Sequence, residues 1–559
     1  MSENLSKLSA RKGLKENLFE NIIQAKGSPV ALKSIARQHK VGESNVYGAS
    51  TAYDFIQGSN ADKKAYICNG SSCLCANSQP QVKQKLLAYF EQTDIGHATC
   101  LGHCHENHSF QLKGKNYSGD DINHLDTIIN SNFESKENYT TTCLLDKPLL
   151  TEEINQIESY YQLFTELIED KNQQELLQTI VDSGLRGRGG AGFPTGIKWQ
   201  ACAAENNSEK YVVCNADEGD PGAFSDRYLM EQRPHSVLFG MLMAGYLSGA
   251  QWGVLYIRDE YPDSVTQIQK AIDKFEILNL LSGLDFEFQF KIIRGAGAYI
   301  CGEETALLRS IEGQRPMVSV RPPFPTVKGL FGKPTILNNV ETFSAIHWIL
   351  EHSAEAFASL GNGASTGSKL LSLDSSFNNP GIMEVAMGEK LSNVINRAGG
   401  FSKPIKALHI GGPLGGLVPL EKIDDLSIDF ESFADNGFLL GHASIIGIPQ
   451  SQNIAEYLEH LFEFTAAESC GKCFPCRLGA TRGKEMFQQA LKGENKLDRE
   501  LLDDLLETME KGSLCALGGG VPLPVKNALL YFMPEMNHLF EQIAFDKIAS
   551  IDISDREVK

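Results

Sequence analysis

Residues 184–199, GLRGRGGAGFPTGIKW, decide how the rest of the chain is read. Gly187, Gly189 and Gly192 fit the G-x-G-x-x-G spacing, in which missing side chains let backbone N–H groups approach a phosphate. Arg186, Arg188 and Lys198 add positive charge nearby. A standard dinucleotide fold needs a strand before this loop. Instead Leu176, Leu177, Ile180, Val181 and Leu185 recur at helical spacing, which predicts a helix over 174–185. The stretch reads as a phosphate cradle outside the usual βαβ setting, or as a flexible basic loop.

The residues after the loop favour the cradle. Lys210 to Cys214 and Val254 to Ile257 read as short strands, Val265 to Phe275 as a helix, and FEFQFKI (286–292) alternates with period two. Such alternation predicts an α/β domain with a largely parallel sheet. Ligands bind at the carboxyl ends of such strands, where NADEGDPGAF (215–224) and GAGAYICGEETAL (295–307) both fall. Asp217, Glu218, Asp220, Glu303 and Glu304 interleave with glycines there; they suit hydroxyl and amide donors of a ligand, while Arg186, Arg188 and Lys198 suit its phosphates. Phe193, Phe324 and Phe331 offer stacking faces or core packing.

With 559 residues the chain should hold three or four domains. Its net charge of −19 sets nucleic acid aside as a partner. The opening residues, MSENLSKLSARKGLKENLF, carry no apolar signal region, and Val237 to Leu247 is too short to span a bilayer, so a cytoplasmic protein is expected.

Thirteen cysteines in that setting argue for metal chemistry over disulfides. Cys68 and Cys73 form C-x4-C, and Cys100 and Cys104 form C-x3-C; these two pairs could hold zinc or a [2Fe–2S] cluster. His97, His103, His105 and His108 crowd the second pair and read as a polar surface loop. Cys470, Cys473 and Cys476 form C-x2-C-x2-C between helical stretches, with Cys515 downstream, which favours one [4Fe–4S] cube over zinc. Lys472, Arg477 and Arg482 flank it, where positive charge would offset an anionic cluster. Cys75, Cys143, Cys202, Cys214 and Cys301 read as small buried hydrophobes.

From about Asn155 to Phe532, the motifs GRGGAGFPTGIKW, NADEGDPGAF, GAGAYICGEETAL, NNVET (338–342) and ESCGKCFPC (468–476) resemble the NAD-linked FMN/iron–sulfur flavoprotein subunits. These serve respiratory complex I, NAD-linked hydrogenases and NAD-dependent molybdenum or tungsten formate dehydrogenases. Residues 15–110 resemble the thioredoxin-like [2Fe–2S] subunit that accompanies them. The carriers are VGESNVYGASTAYDF (41–55) and the two cysteine pairs, although the gap from Cys73 to Cys100 is shorter than usual. The resemblance implies a multidomain α/β protein. Its parts are a thioredoxin-like [2Fe–2S] domain over 1–110, a linker over 111–150, a Rossmann-like FMN/NAD-binding α/β domain over 151–350, a ubiquitin-like module over 351–435, and a helical bundle with [4Fe–4S] over 436–559.

By the same resemblance, Gly187, Arg188, Gly189, Gly190, Ala191 and Gly192 cover FMN and NAD. Asn215, Asp217, Glu218, Asp220, Tyr299, Gly302, Glu303, Glu304, Asn338, Asn339 and Thr342 hold FMN or neighbour it, and Phe193, Lys198 and Phe324 belong to the NAD pocket. Cys68, Cys73, Cys100 and Cys104 would hold the [2Fe–2S] cluster, and Cys470, Cys473, Cys476 and Cys515 the [4Fe–4S] cluster. The implied activity is that of a diaphorase. Asp220 falls where complex I subunits usually carry Glu, which favours the hydrogenase and formate dehydrogenase branches. FESFADNGFLLGH (430–442) and SLCALGGGVPLPV (513–525) look most like the formate dehydrogenase beta subunit, which implies a pterin-containing alpha subunit as partner. A hydrogenase diaphorase and a complex I NADH-binding subunit are the alternatives, and a zinc-stabilised scaffold is the competing class.

Overall fold

The computed structural model describes residues 13–131 and 133–541. The first twelve residues, part of the stretch read as lacking a secretory signal, and the end of the expected helical bundle, 542–559, lie outside them.

In the N-terminal unit β1 (Ala65–Cys68) pairs parallel with β2 (Ile95–Ala98) and antiparallel with β3 (Phe110–Leu112), which turns back into β4 (Lys115–Tyr117). The sheet order is β2-β1-β3-β4. The 111–150 segment is thus not a linker. Its polar residues are partly spent inside: Asn116 donates to the carbonyls of Glu260 (2.7 Å) and Leu101 (3.4 Å), and Ser118 with Asp121 forms a capping box. Farther on, β5 (Thr140–Cys143) exposes its threonines and bonds its backbone to another unit's sheet.

The second unit carries four parallel strands, β6 (Tyr211–Ala216), β7 (Trp252–Ile257), β8 (Gln289–Arg294) and β9 (Thr335–Asn339), in the order β8-β7-β6-β9. Helices cover both faces, which is why β6 and β7 read as continuous apolar runs. Val212 and Cys214 of β6 join Leu255 and Ile257 of β7 in one core, below the buried helix Pro234–Ser248. Val213, Val254 and Tyr256 face the other way, onto Phe19 and Tyr53 of the N-terminal helical segment. That lead-in, expected with the [2Fe–2S] domain, therefore closes the open face of this sheet.

The third unit is a mixed sheet in the order β13-β12-β14-β10-β11-β5, where β10 is Ser368–Leu373, β11 Gly381–Ala386, β12 Ile405–Ile410, β13 Gly416–Pro419 and β14 Ser444–Pro449. The 351–435 boundaries shift accordingly. Strand β14 lies beyond 435, while Phe357, inside the interval, packs into the core of the parallel-sheet unit. From Ile454 the chain is helical, in Ile454–Glu468, Phe474–Leu491, Arg499–Gly512 and Pro522–Tyr531. Among the described residues, no helix is long and apolar enough to cross a membrane.

Candidate functional site

The glycine-rich loop follows the helix Gln173–Asp182, not a strand, and it is a closed loop. The Gly187 N–H donates to the Phe193 carbonyl at 2.8 Å, the Thr195 N–H to the Leu185 carbonyl at 2.8 Å, and Arg186 Nε to the Gly192 carbonyl at 2.7 Å. Gly190 and Gly192 take φ of 118° and 61°, which a side chain would strain. Ala191 is exposed at the tip. The Arg188 N–H donates to Thr342 Oγ1 at 2.9 Å, pinning the loop to the helix after β9. The buried Arg188 side chain reaches the Thr366 carbonyl with Nη2, while Nη1 has no partner.

The carboxyl ends of the parallel strands meet this loop. Asn215 at the end of β6 donates to the Gly302 carbonyl at 2.8 Å. A Cβ on Gly302 would stand 3.4 Å from the Asp217 carbonyl oxygen, and one on Gly189 would stand 3.1 Å from Asn339 Cβ, so both glycines are held close to their neighbours. Asp217 Oδ2 is buried without a partner, and burial raises its carboxyl well above the usual range. The orphaned Asp217 carboxyl and the orphaned Arg188 guanidinium nitrogen are groups that suit a ligand carrying both hydroxyls and phosphate.

Several expected cofactor residues also bond within the protein. Glu218 accepts from the backbone N–H groups of Asp226 (2.9 Å) and Arg227 (3.0 Å). Glu303 caps the helix Glu304–Ile311 through the N–H groups of Thr305 and Ala306. Asn338 accepts from Trp199 Nε1 at 2.9 Å, and Asn339 caps the next helix while donating to Asp226. Lys198 donates to the Leu337 carbonyl at 2.9 Å and lies 3.9 Å from Glu304. Phe193 and Phe324 are 52% and 54% exposed, so neither is a core residue; Phe331 lies edge-on to Tyr211, partly buried against the core.

The loop after β6 also touches the first cysteine group. Cys100 and Cys104 have their sulfurs 3.7 Å apart, and Cys68 shares hydrogen bonds with Cys100 and Cys73. Gly102 N–H donates to Cys100 Sγ at 3.4 Å, and Gly222 N–H, from the NADEGDPGAF loop, points to the Cys104 thiol. His103 and His105 do not form a polar surface loop. They are buried against Glu137, which Arg227 grips with both guanidinium nitrogens, and burial pulls His103 down to about 4.

Cys470, Cys473, Cys476 and Cys515 form the second group. Cys473 is the N-cap of the long helix Phe474–Leu491 and Cys515 that of the short helix Ala516–Gly520, so both sit at helix N-termini, where the first backbone N–H groups lack intrahelical partners. Burial pushes Cys476 up to about 11 and Cys515 to about 12, so neither thiol ionises near neutral pH unless a cation displaces its proton. The flanking charges are engaged elsewhere. Lys472 donates to the Val318 carbonyl, Arg477 lies over Phe474, and Arg482 pairs with Glu485. All thirteen cysteines are free thiols, so both groups are available as thiolate donors.

Sequence reasoning missed a buried centre behind the loop. His442 Nε2 lies 3.1 Å from Asp226 Oδ2, and its Nδ1 lies 3.8 Å from Glu218 Oε1. His442 ends the FESFADNGFLLGH stretch and Asp226 follows NADEGDPGAF, but no spacing pairs two residues 216 positions apart.

Residues 180–348 match the Nuo51 FMN-binding domain, and 456–539 match the NADH-ubiquinone oxidoreductase-F iron–sulfur binding region. The NADP-reducing hydrogenase subunit HndC of Solidesulfovibrio fructosivorans is 41% identical over 371 residues, 65% of this chain and 75% of that protein. The F 2 subunit of the NADH-quinone oxidoreductase of Rhizobium meliloti (strain 1021) is 36% identical over 383 residues, 67% of this chain and 91% of that one. This chain belongs to the Nuo51 family. The glycine loop lies inside the matched FMN-binding domain, and the second cysteine group lies inside the matched iron–sulfur region. The likeness extends past the Nuo51 core in three dimensions. A chain in the crystal structure of an NAD+-reducing [NiFe]-hydrogenase superposes with a TM-score of 0.83 at 27% identity, over 94% of both chains.

Proposed function

We propose that this chain is the diaphorase subunit of an NAD-linked redox complex, exchanging hydride with NAD(H) at FMN and single electrons with a [4Fe–4S] and a [2Fe–2S] cluster. One observation carries the reading. The loop after β6 holds Asp217 against Gly302 of the second glycine-rich turn and, five residues on, aims Gly222 N–H at a sulfur of the first cysteine group. A nucleotide cradle and a thiolate group thus share one loop.

Bound flavin supplies the conversion between hydride, which is two electrons at once, and one-electron carriers. The residues supply binding and orientation. Gly187 to Gly192 present backbone to a phosphate, and Arg188 Nη1 offers it an unused donor. Burial raises the Asp217 carboxyl, and its unpartnered Oδ2 can bond a ribityl hydroxyl. Phe193 and Phe324 offer exposed ring faces to NAD, with Lys198 6.0 Å from the Phe193 ring centre. Cys68, Cys73, Cys100 and Cys104 would hold the [2Fe–2S] cluster, and Cys470, Cys473, Cys476 and Cys515 the [4Fe–4S] cluster.

The partner reading is supported best by a hydrogenase module, because the 94% overlap with the hydrogenase chain takes in the N-terminal unit as well as the Nuo51 core. A molybdenum- or tungsten-containing formate dehydrogenase alpha subunit is the second reading, favoured by Asp220 and the sequence on both sides of the second cysteine group. Anaerobic purification should give a coloured protein with flavin and iron. A colourless protein with stoichiometric zinc would instead identify a scaffold. A tagged chain recovered from its native cells should then reduce NAD with hydrogen; reduction with formate alone would move the partner to the second reading.

A further inference from the structure

Four segments that carry different parts of the site meet around one carboxylate. Glu468 is the last residue of the helix Ile454–Glu468, two positions before Cys470. A negative charge at a helix C-terminus opposes the helix dipole, so local helix physics does not favour it there. Its contacts do. Oε1 accepts from Thr99 Oγ1 at 2.9 Å, and Thr99 immediately precedes Cys100. Oε2 accepts from the backbone N–H of Tyr299 at 2.9 Å. The Tyr299 hydroxyl donates to Asp220 Oδ1 at 2.6 Å, in the loop after β6. Asp220 in turn lies so close to Gly412 of the mixed sheet's unit that a Cβ there would stand 2.4 Å from its Oδ2.

We propose that Glu468 is a positioning residue that registers both cysteine groups against the Tyr299 loop, and that its contact with Thr99 sets how fast electrons reach the first group. This rests on the diaphorase reading. With both cysteine groups loaded, NADH would give up a hydride and become NAD+; the hydride's proton would go to water, and its two electrons would be accepted one by each cluster. Electron tunnelling falls steeply with distance, so the placement of a ligand loop within an ångström matters. Docking of the N-terminal unit does not depend on Thr99. Asn116 donates to the Glu260 carbonyl at 2.7 Å, and Ser72 to Asp374 Oδ2 at 3.1 Å, so the unit stays attached when the Thr99 hydroxyl is removed.

The test uses the full chain loaded with flavin and iron, in wild-type form and as Thr99→Val, Thr99→Ser and Glu468→Gln. NADH oxidation by ferricyanide reads electron delivery to a small oxidant in solution. Rapid mixing with NADH reads reduction of the N-terminal cluster by its paramagnetic signal, and amide exchange reads the backbone at 98–104 and 297–301. Thr99→Val should slow reduction of the N-terminal cluster about tenfold, because losing one hydrogen bond lowers the population of the registered ligand loop by about that factor. Its iron content and ferricyanide rate should stay at wild-type values, and exchange should rise in both segments. Glu468→Gln should move the same way, and Thr99→Ser, which keeps the hydroxyl, should restore wild-type behaviour. Wild-type cluster reduction and wild-type exchange in Thr99→Val would overturn the proposal. A wild-type protein that takes up no flavin and oxidises no NADH would overturn the diaphorase reading, and the exchange comparison would still decide whether the contact registers the loops.

Discussion

A Cβ on Gly189 would come 3.1 Å from Asn339 Cβ, on the side where Asn339 caps the helix Val340–Ser344. A branched side chain must push either that cap or the ligand aside. Gly189→Val should therefore lose flavin and NADH oxidation together while keeping the iron of the second cysteine group, which the flavin-to-iron ratio of the purified variant would show. Unchanged flavin content would mean that the loop has room to spare. His442 carries a pH dependence. Burial pulls its pKa down, but Asp226 at 3.1 Å and Glu218 at 3.8 Å outweigh that and lift it to about 9. A histidine raised in the folded state gives its full stabilisation below its unfolded value of about 6.5 and loses it as pH rises through about 9, a span worth about 3 kcal/mol. Glu218, pushed up to about 7 mainly by burial and by Asp226, acts in the same direction from lower pH. The thermal midpoint should fall between about pH 6.5 and 9.5, and fall less in His442→Gln.

Elements explain why two cysteines should have different fates. Cys515 opens a turn beside the long helix capped by Cys473. Cys301 lies in the apolar core with Tyr256 and Leu307, where burial pushes its thiol far above the ordinary value. Cys515→Ala should remove about four irons per chain and Cys301→Ala none, as metal analysis would show. Equal losses would mean that the thiols were sorted wrongly. The same scale shows what local sequence conveys. The alternation in FEFQFKI predicts a strand from 286, yet β8 begins at Gln289, because Phe286 and Phe288 stack on each other against the core before pairing starts. The Asn-, Ser- and Thr-rich run after 110 reads as a linker because its composition is polar. Its hydrogen bonds turn out to lie across units, where composition does not reach.

At the scale of the molecule, the units are joined by buried polar ties. Lys369 of β10 and Glu341, on the helix after β9, form an ion pair with no exposure on either side chain, and Glu341 also accepts from Leu370 N–H at 3.1 Å. Glu384 on β11 accepts from the N–H groups of Leu149, Leu150 and Thr151, tying the connection after β5 to the mixed sheet. Removing one partner of a buried pair leaves the other charge uncompensated. Lys369→Met should therefore destabilise the fold by about 3–5 kcal/mol, with the loss appearing where the mixed sheet meets the parallel-sheet unit. Denaturant unfolding followed by amide exchange would locate it; an unchanged midpoint would mean that water reaches Glu341.

The parallel sheet, the glycine cradle at its carboxyl edge and the grouping of eight cysteines into two quartets were all legible in the linear chain. Each of these is a matter of short spacing: period-two or helical runs, G-x-G-x-x-G, and cysteines two to four residues apart. It took the folded chain to show that Glu218, Glu303 and Asn339 spend their polar atoms on helix N–H groups, that His442 meets Asp226, and that Thr99 meets Glu468 across 369 positions. A carboxylate in a glycine-rich loop looks the same in sequence whether it faces a ligand or a helix N-terminus. Which one it faces depends on the unpaired N–H groups that the rest of the chain folds against it.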